Sequence, residues 1–152
     1  MKLTTILASG PPADHLASGT AICQQQKAAI LVHVPKTAKF HSATVYLGTE
    51  LLKENHNVTF SVCPSLHKPC LETASFALPS IKRIEATWES TKFSTLEKGF
   101  VWFVVEGNSP TFDHSFTWFD AASFNHTTAY NDGKWTVEKN RVGASTIEFI
   151  VQ

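Results

Sequence analysis

Residues 100–105 read Phe-Val-Trp-Phe-Val-Val, with Gly99 before them and Gly107 two positions after. Every side chain in the run is β-branched or aromatic, the types that pack well on a pleated surface, and seven residues between glycines suit a strand better than a helix. The neighbouring segments carry the same signature. Residues 27–34 (Lys-Ala-Ala-Ile-Leu-Val-His-Val) form an apolar run that stops at Pro35, as expected of a strand covered on both faces. Residues 57–63 set Val58, Phe60 and Val62 on one face, and residues 72–78 do the same with Ala74, Phe76 and Leu78. Further strands are expected at 42–47, at 84–88, at 112–119 with Phe112, His114, Phe116 and Trp118 aligned, and at 146–151. Asn131-Asp132-Gly133 is the strongest turn signal, since Asn and Gly accept positive φ, and it leads into Trp135-Thr136-Val137.

Short strands spaced every 8–12 residues predict an all-β fold, an antiparallel two-sheet β-sandwich of about nine strands. One or two short helices are expected, from Thr49-Glu-Leu-Leu-Lys-Glu, from 90–98 and from 12–26. Four Trp and eleven Phe supply much of the core area, and Trp88, Trp102 and Trp118 are expected between the sheets.

Thirteen basic residues balance thirteen acidic ones, and only 17% of the chain is charged. No basic excess exists for a nucleic-acid partner. No stretch approaches the ~18 apolar residues of a membrane helix. The start, Met1-Lys2-Leu3-Thr4-Thr5-Ile6-Leu7-Ala8, opens like a secretory signal, then stops at Ser9-Gly10-Pro11-Pro12. A clipped signal and an ordinary first strand both fit. Residues 1–22 are therefore set apart as an N-terminal segment preceding one sandwich domain over 23–152, and the expected location is extracellular.

Cys63 and Cys70 enclose six residues, with Pro64 and Pro69 just inside, and a disulfide between them is expected. Free thiols, or a zinc site with His67 between the cysteines, are the alternatives. Cys23 reads as a small buried side chain. Asn57-Val58-Thr59 and Asn125-His126-Thr127 are glycosylation sequons, no more than chance supplies. His33 reads as a core residue, and Asp113-His114-Ser115 is a coincidence of letters, because neighbours in a strand face opposite ways. No nucleophile elbow, phosphate loop or paired-histidine motif occurs, so neither an enzyme nor a cofactor nor a metal is expected.

What remains is binding. Tyr130, Asn131, Asp132 and Trp135 gather aromatic faces, an amide and a carboxylate around one turn, the chemistry that holds a sugar ring. A core-facing Trp135 is the plainer alternative. Phe112, Trp118 and Phe124 with Asp120 and His126 form a second candidate rim. The expected activity is a lectin-like binding protein for a glycan. The alternative is an interaction module or effector that meets a protein partner through an exposed strand or aromatic patch, with a homodimer compatible with either.

Overall fold

The structure, a computed structural model, describes residues 2–9, 12, 19–52, 56–79, 83–121, 126–140, 143 and 145–151. Two antiparallel sheets pack face to face as a β-sandwich. The first sheet holds β1 (Lys2–Ala8), β2 (Gly19–Ile22), β4 (Ala38–Gly48), β7 (Ile84–Glu89), β8 (Thr95–Leu96), β10 (Phe116–Phe119) and β13 (Ser145–Val151). The second runs in the order β12 (Trp135–Asn140), β11 (His126–Asn131), β3 (Lys27–Val34), β9 (Gly99–Gly107), β5 (Asn57–Cys63) and β6 (Glu72–Ala77). The described strands are thus more numerous than nine. Lys2–Ala8 and Gly19–Ile22, from the segment set apart by sequence, pair with β13 and β10 respectively.

β4 organises the first sheet. β13 and then β10 lie along one of its edges, and β7 and β8 along the other. Its register shifts by one residue at His41, where Glu148 pairs Ser42 but Phe149 pairs Phe40. This bulge lets Phe40 point inward along with Ala43, Val45 and Leu47 despite the odd spacing, and all four are fully buried. Val58, Phe60, Val62, Val101, Phe103 and Val105 face them from the second sheet. Phe103 meets Trp118 of the first sheet edge-on at 6.3 Å, and within the first sheet Phe40 tilts against Trp88 at 4.7 Å.

None of the three stretches expected to be helical is helical in its described part. Thr49 to Leu52 makes one non-helical turn, closed by the Leu52 amide donating to the Thr49 carbonyl, and Lys53 and Glu54 lie outside the described residues. The stretch from Ser90 is held instead by side-chain bonds to Glu72, then becomes β8. Of 12–26, residues 13–18 lie outside the described residues, and 19–26 is strand and turn. The single helical turn among the described residues is the 3-10 turn Phe112–His114. It replaces the first half of the expected 112–119 strand because Ser115 Oγ and N both donate back to the Phe112 carbonyl.

Trp88 and Trp118 are core, as composition suggests. Trp102 is not. It faces outward between Val101 and Phe103, because β9 is apolar on both faces and its pattern does not say which side is in. His33 likewise points out, exposed and 5.2 Å from the Phe100 ring, so the core assignment for it is overturned.

Candidate functional site

The outer face of the six-stranded sheet is the candidate site. Alternation sends Lys27, Ala29, Leu31 and His33 of β3 outward, alongside Phe100, Trp102, Val104 and Glu106 of β9. Registers align these side chains in rows across the strands. One row runs from Val104 through Ala29 and Ala129 to Val137. The next runs from Lys27 through Asn131 to Trp135, with Glu106 of β9 joined to Lys27 by an ion pair. Ala29, Val104, Ala129 and Cys63 form a small buried floor on this side, and half-buried Trp102, Trp135 and Leu66 pack against it.

Polar groups lie beside the indoles. Lys27 Nζ is 3.1 Å from Glu106 Oε1 and 5.4 Å from the centroid of the Trp135 ring. With side chains 36% and 37% exposed, this pair contributes about 0–1 kcal/mol to stability, so its chief effect is to fix charges beside an aromatic ring. Farther along the face, Thr59 and Ser75 share a hydrogen bond of 2.7 Å, and Ser61 bonds Thr73.

The disulfide closes one side. Cys63 and Cys70 are joined, with Cα atoms 4.0 Å apart, so their thiolates are not available to zinc. Cys63 is buried at the end of β5, Cys70 is exposed, and the loop between them lays Leu66 against the same floor on which Trp102 packs. Cys23 is buried and free.

The four hairpin residues divide. Asn131 Oδ1 accepts from the Gly133 amide at 2.9 Å, so this side chain builds the turn, and Gly133 takes a φ of +138° that other residues resist. Asp132 is exposed at the tip, and Trp135 lies on the outer face with Asn131. Tyr130 faces the other way. It lines a cavity of about 210 Å³ between the sheets, together with Thr20, Trp118, Asp120, Thr128 and Glu138. Gly143 closes that cavity, and a Cβ there would stand 2.0 Å from the Trp118 ring. Of the second candidate rim, Trp118 and Asp120 line this same cavity, whereas Phe112 is exposed and takes no part in its lining. Phe124 and the side chain of His126 lie outside the described residues, as does Asn125.

Sequence reasoning missed Trp102, Lys27 and Glu106. A usable signal existed, because Trp102 and Glu106 share one phase of β9, opposite to Val101, Phe103 and Val105. Among the described residues, no group of three or more His, Cys, Asp or Glu is placed to hold a metal ion. None of the described helices is long and apolar enough to cross a membrane.

No protein-family model matches the chain, and no curated protein matches it. The functional reading rests on the geometry of the face.

Proposed function

We propose that this chain is a secreted, non-enzymatic carbohydrate-binding protein whose ligand lies on the outer face of the six-stranded sheet. One observation carries the reading. Two half-exposed indoles, Trp102 and Trp135, flank a floor of small side chains, with a lysine and an asparagine in the adjoining row and a glutamate paired to the lysine. Pyranose rings have an apolar side that lies flat on an indole and a rim of hydroxyls that exchange hydrogen bonds with charged and amide groups. Lys27 and Glu106 supply a donor and an acceptor, and Asp132 extends the polar rim at the hairpin tip. The disulfide supports an oxidising compartment. Asn57 starts β5 and shares the outward phase with Thr59, which makes it the better supported of the two sequons as a glycan acceptor.

A glycan array on the wild-type protein, followed by titration of the best ligand, tests this reading. Trp135→Ala and Trp102→Ala are each expected to weaken binding about tenfold or more, equivalent to ~1.4 kcal/mol. Thermal unfolding is expected to remain cooperative in both. A wild-type protein that retains no glycan at millimolar concentration would overturn the assignment.

The protein-interaction reading draws on Phe100, 61% exposed at the far end of the same face beside His33. Phe100→Ala separates the two. It leaves glycan affinity unchanged if the indoles hold the ligand, and it abolishes partner binding if the phenyl ring is the anchor.

A further inference from the structure

β12 ends the six-stranded sheet, and its ladder with β11 is unbroken from His126 opposite Asn140 to Asn131 opposite Trp135. Thr128 Oγ1 donates to the Glu138 carbonyl at 3.4 Å, so that carbonyl is turned toward β11. Amide and carbonyl directions alternate along an antiparallel strand. The main-chain groups of Trp135, Val137 and Lys139 therefore point away from the sheet. At the centre of this edge Val137 is 55% exposed. A regular edge that no described strand covers, carrying an apolar side chain, is a template for another strand.

We propose that β12 pairs antiparallel with β12 of a second copy of this chain, about a two-fold axis through Val137. The sequence is self-complementary in that register. Val137 meets Val137 of the second copy, and Trp135 falls opposite its Lys139, a favourable cation–aromatic neighbour. Glu138 falls opposite Thr136 of the second copy, so no like charges oppose each other. Three other edges do not satisfy the same test. Turning β7 about Thr87 sets Glu85 against Glu89 of the copy. β1 carries a register shift between Thr5 and Leu7. β6 presents Thr73, Ser75 and Ala77 outward and offers no large apolar side chain there to bury. Pairing through β12 joins two six-stranded sheets into one, with a continuous outer face.

Sedimentation equilibrium and light scattering on the ligand-free, full-length chain read the result directly. Wild type is expected at twice the chain mass at micromolar concentration, with the Val137 amide protected from hydrogen exchange in proportion to dimer. Val137→Pro deletes an outward amide that β11 does not use, so it halves the mass while far-UV circular dichroism is retained. Val137→Lys sets two like charges together at the axis and is expected to do the same. Wild type at the mass of one chain throughout the micromolar range, or a dimer that survives both substitutions, would overturn the proposal.

Discussion

Glu72 is 4% exposed, yet it carries a carboxylate into the boundary between the sheets. Ser90 Oγ donates to its Oε2 at 2.6 Å, and Ser94 donates to Oε1 through Oγ at 2.8 Å and through its amide at 3.3 Å. Ser90 Oγ in turn accepts from the Phe93 amide at 2.8 Å, holding Phe93 at a φ of +50°. A phenylalanine in that region costs about 1–3 kcal/mol and persists only where its surroundings fix it. Glu72 begins β6 of one sheet, and the Ser90–Ser94 loop follows β7 of the other, so these bonds clamp the layers together. Glu72→Ala leaves two hydroxyls and an amide without their acceptor. The expected loss is about 2–4 kcal/mol, because each buried polar group left unmatched costs about 1–3 kcal/mol. Glu72→Gln keeps the shape and one oxygen and is expected to lose roughly half as much. Urea unfolding curves of the three proteins read the difference, and equal midpoints for wild type and Glu72→Ala would refute the clamp.

At the level of elements, strands were legible wherever one face alternated cleanly. Val58, Phe60 and Val62 predict both the existence of β5 and its buried side. β9 shows where that logic stops: its two faces are both apolar, and only the neighbours β3 and β5 decide that Trp102 looks outward. The bulge at His41 hides the first third of β4, since Phe40 is out of phase with Ala43. The hairpin turn was readable from Asn131-Asp132-Gly133, but the departure of Tyr130 from the other three was not, because Tyr130 and Trp135 occupy opposite phases of paired strands. The disulfide loop was legible from spacing, whereas its packing of Leu66 on the outer floor was not. Replacing Cys63 and Cys70 together by serine frees this loop and is expected to lower stability by about 2–2.5 kcal/mol on the chain-entropy model. The β5–β6 ladder from Asn57 to Val62 lies before the bridge, so far-UV dichroism is expected to persist. Looser Leu66 contact is expected to shift tryptophan emission toward the red, and an unchanged unfolding midpoint would show that the bridge is dispensable.

For the whole molecule, closure of the first sheet joins the two ends of the described chain. Lys2 stands opposite Val151, Leu3 opposite Ile150 and Ala8 opposite Thr146. Ser9 continues the seam, donating from its amide to the Ser145 carbonyl at 2.8 Å and from Oγ to the Gly143 carbonyl at 3.0 Å. No local pattern announces such a pairing, since the partners of β1 lie at the far end of the sequence. The same distance has a kinetic consequence, because non-local strands pair only after a large loss of chain entropy, and β-sandwiches fold on the order of milliseconds to seconds. β1 is also part of the core, since Leu7 is 7% exposed beneath the second sheet. Removing residues 1–9 uncovers one edge of β13 and strips Leu7 from the core. The expected loss is at least ~2 kcal/mol from that side chain alone. Denaturant unfolding of the shortened chain checks this, with hydrogen exchange locating the damage in β13 and β4. Full stability and unaltered β13 protection would mean that the first strand sits on the sandwich without supporting it.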